Sequence, residues 1–166
     1  GGTLIKGIDR DYVVTAAHCV DPYKPSHVVV GEHNQTNPND GQEFMSVANV
    51  YLHPKWIEGD HDYDLAIIKL YKHTSNIGAR AAFLPKPNEK FSKYTVDGWG
   101  LKGKETSDVL RTVELDDIKS TDSLASNCLK RNVNFDIHIC GEDPKEIERG
   151  PCGGDSGGPW MARVNG

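Results

Sequence analysis

Short apolar runs, separated by polar residues and turn formers, dominate the hydrophobic pattern of this chain. Runs of about four to eight residues bounded by Gly, Pro, Asn and Asp are typical of β-strands. The turn signals Asn39-Asp40-Gly41 and Glu58-Gly59-Asp60 fall between such runs, and sustained helical periodicity is missing. The pattern therefore predicts an all-β barrel or sandwich. The predicted strands are Tyr12 to Thr15, His27 to Val30, Glu43 to Val50, Leu65 to Leu70, Tyr94 to Val96, and Leu110 to Leu115.

One helix and one linker interrupt this pattern. The helix is predicted over Thr121 to Leu129, where Ser and Asp near the start could cap it and Leu124 and Cys128 would share a face. The stretch from Arg80 to Lys93 is rich in Pro, Lys and Asn and lacks alternation, which is typical of a linker. We therefore expect two halves, residues 1–80 and 94–166, joined by a linker at residues 81–93.

Charge and hydropathy narrow the function classes. The net charge of -5 is spread along the chain, and no run of Lys or Arg interleaves with aromatic residues, which argues against a nucleic-acid partner. No apolar stretch is long enough to span a membrane, and the first residues lack the pattern of a signal peptide. We expect neither nucleic acid nor membrane among the partners.

The four cysteines indicate disulfides rather than a metal site. Cys19, Cys128, Cys140 and Cys152 include no CxxC pair and no His at metal-ligand spacing. Disulfides persist in oxidising compartments, so we expect a secreted, extracellular protein. The sequon Asn34-Gln35-Thr36 agrees with export and makes Asn34 a candidate glycosylation site.

Three segments carry residues suited to nucleophilic catalysis. His18 follows a predicted strand, Asp64 precedes an apolar run, and Ser156 lies between glycines that permit unusual backbone angles. Alone, each has an ordinary interpretation: a surface histidine, a turn aspartate and a flexible loop. A nucleophilic serine needs a base, an acid that orients the base, and backbone donors for an oxyanion, and the chain contains one candidate for each role.

Together these segments resemble the chymotrypsin/trypsin-like serine protease family. The matching motifs are TAAHC around His18, DLAIIKL from Asp64 onward and GDSGGP around Ser156, in the family's order and spacing. Further matches are Gly1 to Ile5, His53-Pro54, and Gly98-Trp99-Gly100, so the resemblance covers essentially the whole chain. It implies two antiparallel β-barrels with the catalytic residues at their junction.

The resemblance also implies the role of each site residue. Ser156 would be the nucleophile, His18 the general base and later acid, and Asp64 the residue that orients the imidazole. The N–H groups of Gly154 and Ser156 would form the oxyanion hole. Asp155 would receive the α-amino group that zymogen cleavage releases.

Compared with the family, the chain begins late and ends early, so we expect a partial catalytic domain that is inactive by itself. The resemblance implies a Cys128–Cys140 bridge and pairs Cys19 and Cys152 with cysteines outside the chain. A direct Cys19–Cys152 bond is the alternative.

Substrate preference is expected from the residue six before the nucleophile, which in the family lies at the base of the primary specificity pocket. That residue is Gly150, so a buried Lys or Arg of a substrate would find no carboxylate there. Gly150, Pro151 and Gly153 leave an open, uncharged floor that favours apolar or aromatic side chains. The expected partners are protein or peptide substrates and protein protease inhibitors.

No cofactor is required for this chemistry, but one structural metal is a candidate. The segment from Glu32 to Glu43 resembles the calcium-binding loop of trypsins, in which two glutamates and backbone carbonyls surround the cation. Glu32 and Glu43 would be the side-chain ligands.

Overall fold

The computed structural model describes residues 1–76, 78–119, 121, 128, 130, 133–143 and 149–164. Within these residues the regular structure is almost entirely β, which confirms the predicted all-β class. One short 3₁₀ turn spans Ala17–Cys19. The strands are β1 Thr3–Lys6, β2 Asp11–Thr15, β3 His27–Val30, β4 Glu43–Leu52, β5 Ala66–Leu70, β6 Lys93–Gly98, β7 Leu101–Lys102, β8 Glu105–Thr106, β9 Arg111–Ile118, β10 Cys140–Glu142 and β11 Trp160–Met161.

The first sheet contains β1 to β5 in the order β1-β2-β5-β4-β3, and every neighbouring pair is antiparallel. Side chains alternate between its two faces, as the burial of Val13, Ile68 and Val50 on one face shows. Burying this face removes apolar area from water, which is the main favourable contribution to the stability of the sheet. The core residues are Val13, Ala17, Val20, Val30, Met45, Val50, Ala66, Ile68 and Leu70.

The second sheet is built from β10, β9, β6 and β11 in that order, again antiparallel. Its buried face contains Tyr94, Val96, Leu115 and Ile118. The ring of Trp160 lies 5.7 Å from that of Tyr94, within the range of favourable aromatic pairs. Strands β7 and β8 form a separate two-stranded hairpin beside this sheet.

A few hydrogen bonds join the two sheets away from their cores. The carbonyl of His33 accepts hydrogen bonds from Trp99 Nε1 (3.1 Å) and from the Leu110 amide (2.8 Å). The Gln35 amide donates to the Asp108 carbonyl at 2.9 Å. The loop after β3 is therefore fixed against the segment that leads into β9.

The predicted strands occur with small changes of boundary. Strand β3 has the predicted bounds, whereas β4 and β9 continue two and three residues further, to Leu52 and Ile118. Strand β1 and the short strands β7, β8, β10 and β11 were not predicted from the pattern. The helix predicted over Thr121 to Leu129 lies almost entirely outside the described residues. The division at residues 81–93 stays a prediction.

Two carboxylates clamp the turn that follows β5. The fully buried Asp11 accepts hydrogen bonds from Lys6 Nζ (3.0 Å) and the Thr74 amide (2.8 Å) and pairs with His73 Nδ1 (2.7 Å). Glu43 accepts from the Thr74 hydroxyl at 2.6 Å and from the amides of Ser75 and Asn76 at 2.8 and 3.0 Å. The Thr74 hydrogen bond, with those from Ser75 and Asn76, lowers the pKa of Glu43 to about 2.

Glu43→Gln is expected to make the free energy of unfolding depend less on pH below about pH 5. A carboxyl whose pKa falls from 4.5 to about 2 on folding stabilises the fold above about pH 4.5, and this contribution is lost as the pH falls through about 2. The variant should have a lower free energy of unfolding at pH 6 and a smaller decrease between pH 5 and pH 2. Urea unfolding across this range measures both. The exposed Glu105→Gln should match the wild type, and an unchanged slope in Glu43→Gln would contradict the assignment.

Candidate active site

His18 is presented by the tight turn that follows β2. Strand β2 ends at Thr15, and the small residues Ala16 and Ala17 let the chain turn closely against the first core, where Ala17 is fully buried. His18 follows at once and remains about half exposed, with 48% of its side chain accessible. The buried alanine anchors the backbone while the imidazole faces the surface.

Asp64 lies two residues before β5 and binds His18 through both carboxylate oxygens. Its Oδ1 accepts the backbone N–H of His18 at 2.9 Å, and its Oδ2 lies 2.6 Å from His18 Nδ1. A carboxylate accepts hydrogen bonds only, so Nδ1 must carry the proton. This leaves Nε2 as the basic nitrogen, directed away from the acid. Asp62, the neighbouring acid, instead lies 3.7 Å from His138 Nε2.

The Ser156 loop depends on two glycines with left-handed backbone angles. Gly154 has a φ of 97° and Gly157 a φ of 74°, values that favour glycine. A side chain at Gly157 would also overlap Thr15 and Gly1. The amides of Asp155 and Gly158 donate to the carbonyls of Cys152 and Asp155 at 3.0 and 2.9 Å, which makes the loop a succession of tight turns. Ser156 itself is exposed.

The His18 turn and the Ser156 loop lie side by side. Cys19 Sγ is 3.6 Å from His18 Nε2 and 3.6 Å from the Ser156 carbonyl. The Gly1 nitrogen donates to the same carbonyl at 2.7 Å, and Thr15 Oγ1 donates to the Gly1 carbonyl at 2.7 Å. In the described part of the chain no hydrogen bond joins the Ser156 hydroxyl to Nε2, and such bonds are often long before substrate binds.

The Asp155 side chain binds the segment after β6 and its own loop. Its Oδ1 accepts the Gly100 amide at 2.7 Å, and its Oδ2 accepts the Cys152 amide at 2.9 Å. A Cβ at either Gly98 or Gly100 would overlap the Asp155 carboxylate. The two glycines of the Gly-Trp-Gly motif therefore make room for this side chain, a requirement that the sequence alone does not reveal.

Gly100→Ala should damage the Ser156 loop without unfolding the protein. The added methyl group overlaps the Asp155 carboxylate, so the side chain must move and lose the Gly100 amide. Asp155 also binds the Cys152 amide in the Ser156 loop. Because the resemblance implies that amides of this loop bind an oxyanion, we expect kcat to fall on the order of 100-fold, as when one oxyanion donor is lost.

The matched control for this prediction is Gly103→Ala. Gly103 has a φ of 70° and open space around it, so alanine there strains the β7–β8 turn without touching Asp155. This variant should lose stability and keep its kcat. If the two variants reduced kcat equally, the role of Gly100 would be refuted.

Two of the three residues predicted to form the substrate pocket line an open cavity, and Gly153 lies outside its lining. Gly150 and Pro151 border a cavity of about 260 Å³, and a Cβ at Gly150 would meet nothing within 4 Å. Gly153 lies against Leu101, and the Leu101 amide donates to its carbonyl at 2.9 Å. The cavity wall is more charged than the sequence suggests, because it also includes Lys102, Arg111, Arg149, Asp97 and Asp155.

The two predicted calcium ligands face different partners. Glu43 is bound to the turn after β5, as described above, while Glu32 lies against Asp40 in the loop after β3. Desolvation, reinforced by the Asp40 carboxylate, raises the pKa of Glu32. Glu32 Oε1 and Asp40 Oδ1 are both buried and have no hydrogen-bond partner among the described residues. Sequence reasoning took Asp40 for a turn residue and missed this pairing.

The other sequence candidates are placed as follows. Cys128 and Cys140 are bonded, with their Cα atoms 6.5 Å apart, which is the pairing that the resemblance implies. Cys19 and Cys152 are exposed and are not bonded to each other, and their pairing with cysteines outside the chain stays a prediction. Asn34 is partly exposed, and its Oδ1 accepts hydrogen bonds from the Thr36 amide and hydroxyl at 3.1 and 2.8 Å. Within the described residues, no helix is long and apolar enough to cross a membrane.

Comparisons with known proteins match nearly the whole chain. A family model described as Trypsin matches residues 1–165. Chymotrypsin-like elastase family member 1 of Bos taurus is 31% identical over 175 residues, covering 100% of this chain and 63% of the relative. Granzyme B of Rattus norvegicus is 32% identical over 169 residues, covering 98% of this chain and 65% of the relative.

The fold is similar as well. The solved structure of GrC matches with a TM-score of 0.81 and 29% sequence identity, covering 98% of this chain and 71% of that chain. The chain thus spans 63% to 65% of the length of the two curated relatives described above.

Proposed function

The chain belongs to the trypsin family of serine proteases and has the two-barrel fold of that family, and on this basis we propose that the whole protein is a serine endopeptidase. It hydrolyses peptide bonds through an acyl-enzyme intermediate. The observation that carries the proposal is the double hydrogen bond from His18 to Asp64, at 2.9 and 2.6 Å, beside a serine flanked by glycines. That arrangement fixes the imidazole as a base.

In the proposed mechanism, Ser156 Oγ attacks the carbonyl carbon of the substrate while its proton moves to His18 Nε2. The Asp64 carboxylate stabilises the imidazolium that forms and keeps the proton on Nδ1. The amides of Gly154 and Ser156 donate to the oxyanion. His18 then protonates the departing amine, and a water molecule hydrolyses the acyl-enzyme by the same sequence of proton transfers.

We further propose that cleavage follows apolar or aromatic residues. Gly150 offers no carboxylate to a substrate Lys or Arg, and the cavity that it borders carries three cationic side chains, Lys102, Arg111 and Arg149, against two carboxylates, Asp97 and Asp155. Gly150 and Pro151 leave room for an uncharged side chain.

Assaying the whole gene product on matched peptides tests both the endopeptidase activity and the substrate preference. The peptides carry Phe, Leu, Arg or Asp before the scissile bond, and we expect the highest kcat/KM on Phe or Leu. Dominant cleavage after Arg or Asp would overturn the preference and leave the endopeptidase assignment standing. Failure to cleave any peptide or a denatured protein substrate, after activation, would overturn the assignment itself.

A structural calcium fits the loop after β3 in part. Calcium prefers oxygen ligands, and a cation would compensate the buried Glu32 and Asp40 oxygens that have no hydrogen-bond donor in the described part of the chain. Glu43 fits less well, because Thr74, Ser75 and Asn76 already occupy its carboxylate. We therefore propose Glu32 and Asp40 as the carboxylate ligands. The cation would hold this loop, and the reaction itself needs no cofactor.

The remaining proposals concern secretion, activation from a zymogen, and protein inhibitors. We propose that the protein is secreted. The Cys128–Cys140 disulfide supports secretion because disulfides persist in oxidising compartments. The Asn34 sequon supports it as well, because the Asn34 side chain is partly exposed. Synthesis as a zymogen would use Asp155, since each of its oxygens keeps a lone pair for a further donor beyond the amides of Gly100 and Cys152. Protein inhibitors that enter the same cleft are the expected partners besides substrates.

A further inference from the structure

The mouth of the loop between β4 and β5 is closed by a pair of stacked rings next to Asp64. Leu52 at the end of β4 pairs with Ala66 at the start of β5, and the His53 amide extends the ladder by donating to the Leu65 carbonyl at 2.8 Å. Across this mouth the rings of His53 and Tyr63 lie 5.0 Å apart, with an interplanar angle of 11°. This is the geometry of an offset stack.

Tyr63 adopts a backbone conformation that aromatic residues avoid. Its φ is 56°, in the left-handed region. The Leu65 amide donates to the Tyr63 carbonyl at 2.7 Å, closing a three-residue turn with Asp64 at its centre. The direction of the Asp64 carboxylate therefore depends on a disfavoured conformation one residue earlier, and contacts elsewhere must hold that conformation.

The contacts of the Tyr63 ring supply this restraint. His53 stacks on the ring, and Lys55 Nζ lies 4.9 Å from the ring centroid, a cation–π distance. The Lys55 amide donates to His53 Nδ1 at 3.2 Å, which orients the imidazole against Tyr63. His53 is half-buried, and Tyr63 is 36% exposed, so neither ring is part of the core of the first sheet.

We propose that His53 and Tyr63 are positioning residues whose stack holds the left-handed turn and so aims Asp64 at His18. The inference rests on the proposed endopeptidase function and deepens it by naming what sets the geometry of the acid. Neither ring touches the reacting atoms. Without the stack, Tyr63 relaxes to a commoner conformation and the Asp64 carboxylate loses its simultaneous bonds to the backbone and ring nitrogens of His18.

The kinetic test separates positioning from binding. His53→Ala and Tyr63→Ala should each lower kcat roughly tenfold to 100-fold and leave KM within about twofold, because misplacing a catalytic group slows the chemical step. His53→Phe and Tyr63→Phe preserve a ring for the stack and should restore kcat. The matched controls are His27→Ala, on the exposed edge of the first sheet, and Tyr71→Ala, whose ring is 66% exposed. Both controls should behave as the wild type.

A second readout does not depend on catalysis. Nuclear magnetic resonance of the protein with ¹⁵N-labelled histidine follows the proton between His18 Nδ1 and Asp64 by its chemical shift and exchange rate. In both alanine variants this proton should exchange faster and shift toward the value of a solvated imidazole, and the phenylalanine variants should keep the wild-type values.

The outcomes distinguish this inference from the proposed function. If neither alanine variant changed kcat or the His18 proton, the stack would have no positioning role even in an active protease. A loss of kcat that the phenylalanine variants did not rescue would equally overturn the role of the stack. If the wild type hydrolysed nothing, the endopeptidase assignment would fail, while the proton measurement would still decide whether His53 and Tyr63 position Asp64.

Discussion

Ser156→Ala is expected to lower kcat on peptide substrates on the order of 10⁶-fold, because it removes the proposed nucleophile. The substitution deletes one exposed hydroxyl and leaves the backbone donors of Gly154 and residue 156 in place, so the melting temperature should stay close to that of the wild type. Substrate binding should persist, measured as an unchanged Kd for a slowly cleaved peptide.

The control for this prediction is Ser107→Ala, at a serine in the turn that follows β8. Its hydroxyl donates only to the Val109 carbonyl, at 2.7 Å, and we expect kcat within about threefold of the wild type. Residual activity in Ser156→Ala within tenfold of the wild type would mean that another residue performs the attack.

Asp64→Asn is expected to lower kcat about 10⁴-fold while the fold persists. The aspartate accepts from two donors, the backbone N–H and Nδ1 of His18, and an amide has only one oxygen. Whichever donor keeps the oxygen, the NH₂ group faces the other. If the backbone N–H keeps it, the imidazole must present an unprotonated Nδ1, which moves the proton to Nε2 and removes the base.

The pH dependence of the variant provides the check on this explanation. If the loss comes from the wrong tautomer, kcat of Asp64→Asn should rise at alkaline pH, where hydroxide can take the place of the missing base. The neighbouring Asp62→Asn, which contacts His138 rather than His18, should retain near-normal kcat. Equal losses in the two variants would remove the distinction between the two acids.

The sequence indicates the candidate site residues more directly than the residues that surround them, for a physical reason. His18, Asp64 and Ser156 each lie in a local motif whose residue types reveal a role: small residues before the histidine, an apolar run after the acid, glycines around the serine. The structure adds the distances between His18 and Asp64, which connect residues far apart in the chain.

The residues that support the site carry no such local signal. Gly98 and Gly100 are required because the Asp155 side chain, more than 50 positions later, occupies the space beside them. The left-handed φ of Tyr63 is unexpected because the types that usually adopt it are glycine, asparagine and aspartate. Such requirements arise only when distant segments come together.

The short strands and the hydrogen-bond partners of Glu43 could not be predicted from the sequence, for related reasons. Strands β10 and β11 have three and two residues, too few for an alternating pattern to appear. The sequence predicts Glu43 as a calcium ligand from the residues next to it in the chain. Its hydrogen-bond partners, Thr74, Ser75 and Asn76, instead lie in the turn after β5. The strands β2 and β5 could be predicted because each is a run of apolar residues long enough to show in the sequence. Alternate residues of each run are buried in the core of the first sheet.

The most direct measurement of the central claim is covalent labelling of the whole, activated gene product with a fluorophosphonate, followed by peptide mass spectrometry. We predict a single adduct on Ser156, formed at a rate that falls sharply in Asp64→Asn and is abolished in Ser156→Ala. An unlabelled Ser156 in the activated protein, or labelling that persists unchanged in Ser156→Ala, would contradict the assignment of His18, Asp64 and Ser156 as a catalytic triad.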